Sequence, residues 1–286
     1  MISVIVSSHR ADDFSTFSDS LDATIGTPYE LIKVENQNQF SLSAAYNIGA
    51  KQAQFDILLF VHEDVAFETP DWGLTLTGLF AENEDLGIVG VAGALKKSGL
   101  PTGWGTGIAE FDRINLIQPS DQGEKHHSTR KANELTEPVK VMDGVFLATR
   151  KRIWVEVKFD ESLTGYHLYD IDFSLRITQS YKGLISYGIL LKHFSTGNYN
   201  SDWMEATLAY HCKSEKLGLF DNDLSYSSGT RRAWYKALTF GEISSGLRAD
   251  YLAKMGADPL SMIHAFAFRF PGFGKKIFKI LSLAGL

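Results

Sequence analysis

A doubly wound α/β sheet is the fold class that the sequence predicts, on three observations. The short apolar runs Ile2–Val6 and Ile57–Val61 are β-branched, strand-length and bounded by polar residues, as strands covered on both faces are. Between them lie a further strand pattern at 30–35 and a helical pattern at 43–54. After them, a helix at 72–82 and a strand at 88–91 continue the β-α-β alternation that builds such sheets. Ligands of these sheets gather at the carboxyl ends of the strands, so chemistry is expected there.

Each element has its own justification. Ser43 is placed to cap the second pattern, with Ala44, Tyr46 and Ala50 along one side. Six glycines fall between Gly90 and Gly107, and the polar stretch from Gln118 to Pro138 reads as a functional or mobile loop. Val139–Met142 and Val145–Ala148 resume strand character around Asp143-Gly144. From Asp170 to Tyr181 the apolar residues alternate with period two, yet the length and the closing Lys182-Gly183 predict a helix. Asp202-Trp203-Met204-Glu205 opens another helix with a capping-box pattern, ending near Gly218. Residues 259–286 contain no acid and are rich in Phe, Ile and Leu.

The 286 residues suffice for one large domain with an annex, divided here as 1–218 and a helical extension over 219–286. With 28 basic against 34 acidic residues the net charge is −6, which argues against a nucleic-acid partner. Mean hydropathy is −0.10 and no run of 18 apolar residues occurs, so no transmembrane helix is expected. The strand-like start has no basic region before it, and Cys212 stands alone. The expected location is the cytoplasm.

His62-Glu63-Asp64, at the end of a buried strand, offers oxygen ligands of the kind Mg²⁺ or Mn²⁺ prefer beside substrate phosphates. The zinc-peptidase pattern fails, because Ala66 stands where its second histidine belongs. Tyr169-Asp170-Ile171-Asp172 places two carboxylates at a predicted helix start, where they serve as dipole-favoured caps or supply a general base among aromatic rings. His193 follows another strand-like run. His126-His127 reads as solvated, and neither a phosphate-binding Gly-Lys-Ser/Thr loop nor a Gly-x-Ser-x-Gly elbow is present.

In order along residues 2–215, these pieces resemble the family 2 glycosyltransferases of the GT-A fold, in the branch of bacterial surface-polysaccharide synthesis. The resemblance rests on Val4-Ile5-Val6-Ser7-Ser8, Ala45-Tyr46-Asn47-Ile48-Gly49, Leu59–Val65, Met142–Leu147, Tyr169–Arg176 and His193-Phe194-Ser195. It implies a Rossmann-like mixed sheet, the nucleotide-diphospho-sugar transferase fold, with a C-terminal helical extension. It implies Mn²⁺ or Mg²⁺ held by Asp64 and His193, and Asp170 as catalytic base. On the donor side it implies Ser7, Ser8, Asn47, His62 and Glu63, with Glu35 where the family reads uracil, favouring a UDP-type nucleotide sugar. Trp104, Asp143, Gly144, Tyr169 and Asp172 are expected around the sugar and a saccharide or lipid-linked acceptor. A single base fits inversion. A sugar nucleotidyltransferase and a non-catalytic carbohydrate-binding protein of the same fold are the alternative readings.

Lys275, Lys276 and Lys279 flank an apolar stripe of Ile277, Ile280, Leu281 and Ala284 at helical spacing. Such a segment is expected on an anionic membrane at its inner face, or packed against the domain or a second subunit of a homo-oligomer.

Overall fold

The computed structural model describes residues 1–195, 200–221, 244–255 and residues 276, 279 and 280. Two compact units divide the chain, Met1–Lys96 with Ala109–Gly197, and Lys97–Ile108 with Asn198–Leu286.

The first unit is built on β1 (Ile2–Ser8), β2 (Tyr29–Glu35) and β3 (Ile57–Val61), which are parallel, with β1 in the middle. Every residue of β3 is buried, which is why its sequence is an unbroken apolar run. Beyond β3 lie β11 (Phe146–Arg150), antiparallel to it, then β5 (Leu86–Gly90), β12 (Lys182–Ser186) and β9 (Thr136–Val139). The reversal at β11 makes the sheet mixed. A second sheet runs β10 (Val141–Met142), β6 (Ala92–Ala94), β7 (Asp112–Ser120), β13 (Leu191–His193) and β4 (Val65–Phe67), with β8 (Gly123–Ser128) paired to β7.

Helix α2 (Leu42–Gln52) is capped by Ser41, whose hydroxyl accepts from the Ala44 N–H at 3.2 Å. The expected cap, Ser43, is instead buried against the sheet. Gly49 lets this helix lie close on β1, since a Cβ there would overlap Ile5. Helix α3 (Trp72–Glu82) has the predicted bounds. Two elements correct the sequence reading. Helix α1 (Ala11–Thr24) was not anticipated, and the polar stretch from Gln118 forms most of the β7–β8 hairpin rather than a loop. All of β8 is polar and only His127 is half-buried, so backbone pairing holds it and hydropathy does not reveal it.

α4 (Lys151–Val157) and α5 (Tyr169–Ile177) complete this unit. α5 is buried on nearly every side, which explains why its apolar residues show no helical period. Between the helices and the sheet, Phe159 stacks on Phe173 at 3.9 Å and meets Phe60 edge-on at 4.8 Å. Tyr46 and Tyr169 border the same cluster.

In the second unit, α6 (Ser201–Ser214) is capped by Asn200, which accepts from the Trp203 N–H, and not by Asp202 as the capping-box pattern suggested. Tyr251 of α7 (Ser245–Met255) donates to the Met204 carbonyl at 2.8 Å. The Lys97 amine is buried, which pushes its pKa well down, and it hydrogen-bonds the Ser98 carbonyl, Thr102 Oγ1 and His211 Nε2 at 2.8, 2.9 and 2.8 Å. Lys97→Met keeps the length of the side chain but leaves those acceptors without a donor. It is expected to cost about 2–3 kcal/mol of stability, read as a lower midpoint in urea with unchanged slope. The expected membrane-binding tail lies outside the described residues except for Lys276, Lys279 and Ile280. Among the described residues no helix is long and apolar enough to cross a membrane.

Candidate active site

The carboxyl ends of β1, β2 and β3 adjoin one another, and the turn after β3 carries His62, Glu63 and Asp64. His193 ends β13, and its pairing with Val65 of β4 brings it beside Asp64. The Phe194 N–H donates to the Asp64 carbonyl at 2.9 Å. Asp64 Oδ1 lies 3.4 Å from His193 Nε2 and 3.8 Å from His62 Nδ1. One ligand atom from each of the three lies within 4.8 Å of the others. Two imidazoles and a carboxylate at this spacing form a mixed nitrogen and oxygen donor set that can hold a divalent metal ion.

Their ionisation fits that role. Burial raises the Asp64 carboxyl, but the His193 hydrogen bond, the two imidazoles and the Ser195 hydroxyl outweigh it and hold the group well below the usual carboxylate range. Burial and the neighbouring His193 keep His62 below its ordinary value, so it is a neutral imidazole with a lone pair to give. At His193 burial lowers the pKa, but Asp64 overrides it and the net shift is upward.

Glu63, expected on the donor side, lies in the same turn and is held by the start of α1. Its carboxylate accepts from the backbone N–H groups of His9 and Arg10 at 3.0 and 3.3 Å, and meets His9 Nδ1 at 2.6 Å. It thereby caps α1, whose own N-cap, Arg10, makes no side-chain cap bond.

Asp170, in the first turn of α5, is half-buried, and one carboxyl oxygen accepts from the Gly144 N–H at 3.0 Å. Burial and the nearby Asp143 push its pKa up to about 7, against backbone hydrogen bonds that lower it. Asp143 in turn accepts from the Val145 N–H at 2.8 Å. Asp172 faces elsewhere. It is buried and gripped by Arg176 Nη2 at 2.6 Å and Nε at 2.8 Å, while the same guanidinium donates to the carbonyls of Val157 and Lys158. That is a clamp between helices.

Tyr169 and Gly144, expected around the sugar, lie against each other. Tyr169 is 4% exposed, and its phenol oxygen lies 2.6 Å from His62 Nε2. Gly144 is glycine because any Cβ there would overlap that phenol. Burial pushes the Tyr46 and Tyr169 hydroxyls upward, so both remain protonated. Asn47, expected on the donor side, has its amide engaged within the fold. It donates to the Phe159 carbonyl and Glu161, and accepts from Trp154 Nε1 and the Phe159 N–H. Trp104 belongs to the second unit.

On the donor side, Ser7 Oγ accepts from Asn36 Nδ2 at 3.1 Å, and the Ser8 carbonyl accepts from the Asn36 N–H at 2.8 Å. Glu35 is exposed and paired with Lys33 at 2.7 Å. Asn36 was missed. It is 1% exposed and also bonds the Phe40 backbone in both directions, fixing the loop after β2. An asparagine directly after a strand is the signal that could have found it.

The mixed α/β architecture is that of the GT-A glycosyltransferase fold. A crystal structure of GalNAc-T7 with UDP, GalNAc and Mn²⁺ shares it, at a TM-score of 0.50 and 13% identity over 68% of this chain and 44% of that one. The family model described as glycosyltransferase-like family matches residues 3–210, and the chain belongs to that family. The chain thus spans under half the length of the matched enzyme. No curated protein matches it.

Proposed function

We propose that this glycosyltransferase moves a sugar from a UDP-type donor to a saccharide or lipid-linked acceptor of bacterial surface-polysaccharide synthesis, with inversion at the anomeric carbon. The observation that carries the reading is one pairing. A ligand triad of His62, Asp64 and His193 lies at the strand ends, and Asp170 is tuned to about 7 at the start of α5, the helix whose Tyr169 touches His62.

His62, Asp64 and His193 would hold Mn²⁺ or Mg²⁺, whose chemistry when bound is to neutralise charge growing on a diphosphate leaving group. Ser7, Ser8 and Glu35, at the ends of β1 and β2, line the donor nucleoside. Asp170 takes the proton of the attacking acceptor hydroxyl. Its pKa near neutrality makes it a stronger base than an ordinary carboxylate while leaving much of it ionised. Asp143 keeps that pKa high and faces the sugar. With Asp172 engaged by Arg176, Asp170 is the carboxylate assigned as base, and a single base fits single displacement.

The test is nucleoside diphosphate release from a panel of nucleotide sugars, with and without Mn²⁺, followed by NMR of the product linkage. Cation-dependent release from a uridine donor with inverted configuration is expected. Release untouched by chelator, or retained configuration, overturns the reading. For the basic tail we propose peripheral placement on an anionic membrane. The full chain is expected to pellet with anionic vesicles and a chain ending at Asp258 to stay in solution; equal pelleting refutes it.

A further inference from the structure

We propose that Lys97 and Thr102 form a proton-operated latch on the segment that leads into Trp104. With three hydrogens on Nζ, Lys97 leaves the Thr102 hydroxyl to hold the Gly103 carbonyl; with two, it draws that hydroxyl away. The latch lies within the second unit and does not rest on the reading of the cation site.

Partners that can only accept fix the direction of each bond. The Thr207 carbonyl, 2.7 Å from His211 Nδ1, requires a hydrogen on that nitrogen. Neutral His211 therefore turns the lone pair of Nε2 toward Lys97 Nζ at 2.8 Å. The carbonyls of Ser98 and Leu100, at 2.8 and 3.4 Å from Nζ, likewise only accept. The Thr102 hydroxyl donates to the Gly103 carbonyl at 3.1 Å, and so accepts from Lys97 at 2.9 Å. The three partners within 2.9 Å take three hydrogens, which is the bonding of the protonated form.

Removing one hydrogen leaves a lone pair on Nζ. Neither the carbonyls nor His211 Nε2 has a hydrogen to offer it, whereas the Thr102 hydroxyl does. That hydroxyl then turns from Gly103 to Lys97, and the Gly103 carbonyl loses its hold on the residue before Trp104.

The surroundings bring proton loss within reach. Lys97 is 1% exposed and His211 0%, and burial pushes both groups well below their ordinary values. Two neighbours oppose burial at Lys97. The Asp221 carboxylate accepts from the Lys97 backbone N–H at 2.9 Å, and the Phe220 ring lies 5.6 Å from Nζ while stacking on His211. At His211, Lys97 itself and Lys254 of α7, which pairs with Glu215, disfavour a second charge, and Tyr210 meets the imidazole edge-on. Lys97 is therefore the member of the pair that titrates.

The test is NMR of the full chain across the pH range in which it stays folded. It follows Lys97 ¹⁵Nζ and, through the Trp104 amide, the ¹³C signal of the Gly103 carbonyl, both assigned by backbone correlations. Lys97 is expected to titrate well below 10.5, and the Gly103 carbonyl to move upfield with the same midpoint as its hydrogen bond is lost. Thr102→Val should abolish the Gly103 response and Thr102→Ser should keep it; if Thr102→Val does not fold, Thr102→Ala takes its place. The folded chain gives up this proton at lower pH than the unfolded chain does. The stability of wild type relative to Lys97→Met should therefore rise with pH between that midpoint and 10.5. A Gly103 carbonyl that ignores the Lys97 titration overturns the latch, as does a response that survives loss of the Thr102 hydroxyl. A Lys97 that titrates at its ordinary value, or not at all in that range, overturns it too.

Discussion

Asp170→Asn is expected to lower turnover by about 10²–10⁴-fold while leaving donor affinity near that of wild type, because only the proton-accepting group is lost. The wild-type rate should rise with pH through about 7 and then level, as the base ionises. The same substitution is expected to stabilise the fold. A carboxyl that titrates near 7 when folded, against 3.8 ordinarily, is held more tightly protonated by the native state than by the unfolded chain. Folding therefore loses stability as pH rises from about 4 to about 7, and the cost is complete above that. Asparagine avoids the cost and can still accept from the Gly144 N–H. The ceiling is about 4 kcal/mol, and partial solvent exposure reduces it to about 1–3 kcal/mol. Thermal unfolding at pH 8 should thus show the variant more stable than wild type, and at pH 4 the two should coincide. A fully active Asp170→Asn, or an inactive Asp172→Asn whose fold is intact, would assign the base elsewhere.

Asp64→Ala is the second large effect. Asp64 is the only carboxylate of the triad, and both imidazoles lean on it. Its removal should weaken Mn²⁺ by more than the roughly 10–100-fold that loss of an outer-shell partner costs, and abolish the cation dependence of nucleoside diphosphate binding. The backbone around it is held by the β4–β13 pairing, so the fold should survive. Calorimetry of the nucleotide with and without Mn²⁺ checks this, and an unchanged cation effect would remove Asp64 from the site.

The buried strands were legible because burial on both faces leaves only apolar residues, as in β3, whose bounds match the expectation. α3 was legible from its spaced apolar residues, of which Trp72, Leu76 and Phe80 are buried. α1 was not, because its apolar contacts are few and its cap is a side chain more than fifty residues away. β8 was hidden because backbone pairing leaves no trace in hydropathy. At the site, sequence order and chemistry pointed to Asp64 and His193 as metal ligands and to His62 on the donor side, and the structure brings the three together. Glu63 lies in the same turn yet bonds the backbone of His9 and Arg10, a long-range contact that no local pattern carries. By contrast, the four-residue spacing of Asp172 and Arg176 on a helix foretells their pairing. The reach of Tyr169 over Gly144 depends on packing between distant segments, which no local pattern carries.

The three candidate ligands do not share a sheet. His62 leaves the end of β3 in the larger sheet, while His193 ends β13 in the smaller one, and Asp64 sits in the turn that passes from one to the other. Mechanically, a cation here would be a clasp across a seam. Linkage makes the relation mutual, so any shear between the layers is felt as weaker cation binding, and a bound cation stiffens the seam by the same free energy. The β7–β8 hairpin then has leverage well beyond its surface position. β7 pairs with β13, and Lys192 is tied to Glu124 of β8, so loosening the hairpin would be read out at the clasp as lost metal affinity.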